Sequence, residues 1–143
     1  MKQSREKCAY FYEIIEECVE KLSSEKHHAV YEHEYKSDEQ LKTRCRTERI
    51  MGASCFNKGI NVTKVIEDMI YDSPQLMPWL FSNESILRIA VKSKHCGKKF
   101  LKDQKHNWND GAIVCNNILL FLEKEYDKAN CVTGIHILTC YLE

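Results

Sequence analysis

The chain has 143 residues, with 21 basic side chains balanced by 21 acidic ones, 43% hydrophobic residues, five glycines and two prolines. That length suits one core, and the composition excludes collagen-like, disordered and multispan membrane classes. With no net charge there is no whole-molecule field to draw the chain to nucleic acid or anionic lipid, so any electrostatic function must be local.

The opening Met1-Lys2-Gln3-Ser4-Arg5-Glu6-Lys7 is too polar for a secretory signal. The longest apolar run, Ile118-Leu119-Leu120-Phe121-Leu122, is far too short to span a bilayer. A single unanchored intracellular domain over residues 1–143 is the expectation. Cys8, Cys18, Cys45, Cys55, Cys96, Cys115, Cys131 and Cys140 are widely spaced, with no C-x-x-C pair. They read as core thiols, with an incidental or intermolecular disulfide left open.

Helical spacing dominates the reading along the chain. Cys8, Phe11, Tyr12, Ile15, Cys18, Val19 and Leu22 form one stripe of a first helix, with Glu13, Glu16, Glu17 and Glu20 facing away. Residues 23–37 read as a surface loop. Ser37-Asp38-Glu39-Gln40 is a capping box opening a second helix with Leu41, Cys45, Met51 and Cys55. Asn61 or Thr63 caps a third, bearing Val65, Ile66, Met69 and Ile70 and closing at Asp72. Pro74 suits the first position of a fourth helix carrying Leu76, Met77, Trp79, Leu80 and Phe81, and Pro78 one turn further in makes that helix short, kinked, or starting at Pro78 instead. A long fifth helix is expected from Ile86, Ile89, Ala90, Ser93, Gly97, Phe100 and Leu101, a sixth after Asp110 through the 118–122 run, and a seventh from Thr133 with Ile135, Ile137, Leu138, Tyr141 and Leu142. The fold class expected is therefore an all-α bundle of about seven helices.

No diagnostic catalytic spacing is present: there is no G-x-S-x-G, P-loop or H-E-x-x-H, so no enzyme and no cofactor or metal is expected. His27, His28 and His33 with Glu32 and Glu34 are of a type that ligates transition metals, but they read as solvated loop residues. Lys92, Lys94, Lys98, Lys99, Lys102 and Lys105, opposed only by Asp103, make a segment of net +5. Without interleaved aromatics to stack bases it reads as a solvated basic face rather than a nucleic-acid site.

The stretch Met77-Pro78-Trp79-Leu80-Phe81-Ser82-Asn83-Glu84-Ser85-Ile86-Leu87-Arg88-Ile89-Ala90-Val91 resembles the Bcl-2 family. Phe81-Ser82-Asn83 looks like the family's turn, and Arg88-Ile89-Ala90-Val91 like the arginine and aliphatic residues that open its central helix. Ser85-Ile86-Leu87 replaces the usual Asn-Trp-Gly, and the chain is most similar in this respect to short homologues of large DNA viruses, the iridovirus type above all. The resemblance implies a central fifth helix beside a hydrophobic surface groove. It also implies a viral inhibitor of host apoptosis that sequesters the BH3 helix of pro-apoptotic proteins. The groove would be formed by Ile66, Met69, Ile70, Met77, Leu80, Phe81, Ser85, Arg88 and Val91, with Arg88 meeting the ligand's aspartate. The location implied is the host cytoplasm, with recruitment to the mitochondrial surface through partners and no membrane span.

Three rivals stand beside it. The same fold blocks innate immune signalling through another surface; a helical homodimer uses the groove as its own interface; or the lysine-rich helix binds nucleic acid.

Overall fold

A computed structural model describes residues 2–24, 27–47, 52–101 and 111–143. The elements run α1 (Lys2–Ser24), α2 (His28–Tyr31), α3 (Asp38–Thr47), β1 (Gly52–Phe56), α4 (Val62–Asp72), α5 (Leu76–Phe81), β2 (Ile86–Leu101), β3 (Ile113–Tyr126) and β4 (Val132–Leu142). The architecture is mixed, with helices in the first half and an antiparallel sheet in order β1-β2-β3-β4.

The local start signals lie where sequence reading places them. Ser37 Oγ accepts from the Gln40 amide while Gln40 Oε1 accepts from the Ser37 amide, the reciprocal pair of a capping box. Asn61 Oδ1 accepts from the Lys64 amide at 3.1 Å and opens α4. In α1, Phe11, Ile14, Ile15, Cys18, Val19 and Leu22 are buried and the four glutamates are exposed.

The all-α bundle is overturned from residue 52 onward. Cys55, expected on the second helix, lies on β1; Met51, Lys102, Asp103, Lys105 and Asp110 lie outside the described residues. The expected fifth, sixth and seventh helices are β2, β3 and β4. Ile86, Ile89, Ala90, Ser93 and Gly97 match a helical stripe, but Leu87, Ile89 and Val91 equally match a strand's alternation. The run at 118–122 is apolar on both faces because both faces of β3 are covered: Ile118, Leu119, Leu120 and Leu122 are all buried. In β4, Ile135, Ile137, Cys140 and Leu142 are buried, with a register shift between Phe121 and Leu122 on the partner strand. A Bcl-2-like arrangement needs a central helix, and these residues form the centre of a sheet instead.

Helices α1, α2, α4 and α5 pack one face of the sheet around Phe11, Val30, Phe56, Ile66, Ile70, Leu80, Leu120 and Leu122. A second cluster, Leu41, Cys45, Ala53, Cys55 and Phe100, joins α3 to β1 and β2 on the other side. All eight cysteines are free, with Cys18, Cys45, Cys55, Cys96, Cys115 and Cys140 buried. Burial pushes the Cys18 and Cys115 thiols up to about 11 and Cys140 to about 12, which keeps them protonated and inert.

Although β1 and β4 are the two ends of the strand order, they meet. The Leu142 amide donates to Ser54 Oγ at 3.1 Å, and a Cβ added at Gly97 of β2 would overlap both the Cys55 carbonyl oxygen and the Leu142 side chain. The sheet therefore curls until its edges touch at one end. Its long strands accommodate this at a break in the β2–β3 register between Lys92 and Gly97, where His95 takes a φ of 53° and Asn116 Oδ1 accepts its amide at 2.9 Å.

Candidate functional site

The curl leaves a cleft of about 420 Å³ where α2 and α3 meet β1, β2 and β4. Its chemistry-bearing lining residues are Glu32, His33, Arg44, Ser54, Lys99, Thr139, Tyr141 and Glu143. Each is placed by an ordinary structural device. Lys99 stands opposite Ser54 in the β1–β2 ladder, which sets it on the face opposite to Lys98, whose ammonium pairs with Asp38 at 2.7 Å. Thr139 and Tyr141 are two apart on β4 and share a face. Tyr141 also stacks on Phe121 of β3, ring centroids 5.9 Å apart.

His33 sits in the turn after α2, and that turn is held by two cations. Lys36 Nζ donates to the Tyr31, Glu32 and Glu34 carbonyls at 3.0, 2.6 and 3.2 Å. Arg44 Nη1 donates to the Glu32 carbonyl at 2.9 Å. The turn is docked on β1 through the Phe56 amide, which donates to the His33 carbonyl at 2.8 Å. His33 is 8% exposed, and its Nδ1 lies 3.1 Å from the Ser54 carbonyl oxygen. A carbonyl can only accept, so Nδ1 carries the ring proton and Nε2 keeps the lone pair. Burial pushes this imidazole down to about 4. The Ser54 carbonyl opposes that shift, while the charges of Arg44 and Lys36 add to it. At neutral pH the ring is thus an uncharged base of fixed tautomer between fixed cations. The solvated-loop reading of His33 is replaced by a buried, strand-bound one. His27 and His28 are half-buried, and His28 Nε2 lies 3.2 Å from the Leu138 carbonyl, which it meets as donor.

The residues assigned to a groove are scattered by this fold. Ile66, Met69, Ile70 and Leu80 are core residues beneath the sheet, and Met77 packs partly buried against them. Phe81 is exposed at 41%, its ring edge-on to Phe11. Ser85 is exposed just before β2. Arg88 and Val91 are exposed on opposite faces of β2, three positions apart. Among the described residues, no group of three or more His, Cys, Asp or Glu side chains is placed to hold a metal ion.

Neither a protein-family profile nor a curated protein matches the chain. Among solved structures, the chain is similar to one from the crystal structure of a CdiA-CT/CdiI complex from Y. kristensenii 33638. The superposition has a TM-score of 0.63 and 18% sequence identity, and covers 82% of this chain and 99% of that one. It shows a shared fold, and that fold is not Bcl-2-like. The expectation of a viral apoptosis inhibitor is overturned with it, because the central helix and groove that would receive a BH3 helix are a sheet and its core. The neighbour's structure is of a complex of two proteins, and nothing supports BH3 proteins as partners of this chain. Among the described residues no helix is long and apolar enough to cross a membrane.

Proposed function

We propose that the chain is one component of a toxin–immunity pair, and that the His33 cleft makes it the nucleolytic one, acting on RNA. The neighbour, a toxin–immunity complex, supports the first part. The observation that carries the second is the His33–Ser54 contact, which holds a neutral imidazole in one tautomer beside Arg44 and Lys99. A phosphodiester needs those groups. Two cations bind the phosphate and take up the charge that develops on it, and an imidazole that is uncharged at neutral pH has a lone pair free to take a proton. In RNA the nucleophile is already in place as the neighbouring 2′-hydroxyl: His33 Nε2 takes its proton, the 2′-oxygen bonds to phosphorus as the P–O5′ bond breaks, and the departing 5′-oxygen takes a proton from solvent, leaving a 2′,3′-cyclic phosphate. Arg44 and Lys99 hold the phosphate, and the Thr139 and Tyr141 hydroxyls orient it. Of the described lysines of the segment of net +5, Lys99 alone lines the cleft.

The test is inducible expression in bacterial cells, followed by RNA analysis. Growth arrest with loss of intact RNA is expected, abolished by His33→Gln and by Arg44→Gln in folded protein. The same cleavage is expected in vitro with EDTA present. Harmless expression of the unaltered, folded chain sinks the nucleolytic part.

A second reading has its own support. Tyr10, Tyr12, Tyr31, Tyr35, Tyr71 and Tyr126 are all 43% or more exposed, and exposed tyrosines suit a protein interface. The chain is then the immunity-type member, and co-expression with the cognate toxin restores growth whether or not His33 is intact.

A further inference from the structure

Strand β2 has neighbours on both sides over only part of its length. Gly97–Lys99 lies between β1 and β3, whereas Ile86–Lys92 pairs with β3 alone. The other outer edges are dressed. Tyr10 Oη and His28 Nε2 reach the Val132 and Leu138 carbonyls of β4, and His33 takes up the Phe56 amide and Ser54 carbonyl of β1.

Which main-chain groups of β2 face outward follows from the register. The Lys124 amide donates to the Ser85 carbonyl at 2.9 Å, making 85 and 124 a hydrogen-bonded pair. Alternation along the unbroken register from Ile86 to Lys92 then turns the amides and carbonyls of Ile86, Arg88, Ala90 and Lys92 away from β3. All four residues are exposed. Among the described residues no hydrogen bond reaches those outward groups.

Two features flank this edge. On the helical side runs a groove of about 550 Å³ between β2 and the α4–α5 turn, with Val65, Met69, Val91 and Ile118 in its wall and the Asp68 and Asp72 carboxylates on its α4 side. Arg88, Ala90 and Lys92 alternate along this edge, which sets two cations on it with the small Ala90 between them; Ala90 and Lys92 also contribute to the groove wall. A second copy laid on the same edge would bring its own Arg88 and Lys92 to these cations, which disfavours self-pairing.

We propose that Ile86–Lys92 is a strand-addition site for a partner protein, taking an extended segment whose side chains alternate acidic and apolar. The segment's main chain completes the ladder at Ile86, Arg88, Ala90 and Lys92. Its acidic side chains lie beside Arg88 and Lys92, and its apolar ones enter the groove. This site shares no lining residue with the His33 cleft and does not depend on the function assigned there.

Amide hydrogen exchange on the full chain tests it, using a short peptide alternating Glu and Val as probe and its Lys–Val counterpart as control. Without peptide, the Arg88, Ala90 and Lys92 amides should exchange fast while those of Leu87, Ile89 and Val91 are slow. The Glu–Val peptide should slow the fast set by about tenfold or more, and the Lys–Val peptide should not. Ala90→Pro removes an outward amide, spares the ladder to β3 and should abolish binding. The double change Arg88→Glu, Lys92→Glu should reverse the peptide preference, and it serves if the proline variant does not fold. Equal binding of both peptides, no slowing by the Glu–Val peptide, or binding that survives Ala90→Pro in folded protein overturns the proposal. Slowing that grows with protein concentration alone overturns it in favour of a second copy.

Discussion

The Nδ1 of His33 is 3.1 Å from the main-chain oxygen of Ser54, residues 21 apart in sequence. The contact fixes which ring nitrogen is basic, and the same serine's hydroxyl accepts the Leu142 amide of β4. One residue of β1 thereby orients the candidate base and closes the sheet.

If His33 is the base, its ionisation governs the acid limb of the rate profile. With the ring pushed down to about 4, RNA cleavage should rise with pH through about that value and show no His33 limb near 6.5. His33→Gln should lower the rate by roughly 100- to 10,000-fold. Initial rates against pH, with a stable fold confirmed at each point, check this. An acid limb near 6.5 that disappears in the variant would contradict the buried placement.

The same shift sets a pH window for stability. The unfolded ring titrates near 6.5 and the folded one near 4, so the unfolded state binds the proton more readily. Stability from this group is complete above about 6.5 and is lost as pH falls towards 4, by roughly 3 kcal/mol in all. Urea midpoints from pH 7 to pH 4 should therefore fall more steeply in the native chain than in His33→Gln.

Ser54→Ala removes the acceptor of the Leu142 amide inside a buried contact. A loss of about 1–3 kcal/mol is expected, read from urea denaturation. The shorter His33–Ser54 contact, 3.1 Å to the main-chain carbonyl, survives the change, while the 3.4 Å approach of the Ser54 hydroxyl to Nδ1 is lost, so the tautomer should be kept.

Gly97→Ala tests the curl itself. The new methyl would overlap the Cys55 carbonyl oxygen and the Leu142 side chain, and neither a ladder carbonyl nor a packed leucine has room to retreat. A loss of several kcal/mol or failure to fold is expected, seen in the thermal midpoint or in the yield of folded protein. A neutral result would mean that β1 and β4 do not converge there.

Ile66 and Arg88 separate this fold from a helical bundle with an open groove. Ile66 is fully buried, so Ile66→Ala should cost about 2–5 kcal/mol. Arg88 is exposed on β2, and Arg88→Ala should change stability by no more than about 0.5 kcal/mol. Chemical denaturation of the two variants side by side decides it.

Sequence alone determined what depends on neighbours a few residues apart: the buried stripe of α1, the Ser37–Gln40 box, the Asn61 cap and the α4 helix that ends at Asp72. Those signals are complete within one or two turns of chain. Tertiary structure decided the rest. Ile86–Val91 and the 118–122 run satisfy helical and strand periods alike, and the choice between them lies in ladder bonds to residues tens of positions away. The cleft was illegible for the same reason. His33, Arg44, Lys99, Thr139 and Tyr141 form no local motif, and only the curl that brings β4 against β1 sets them around one space.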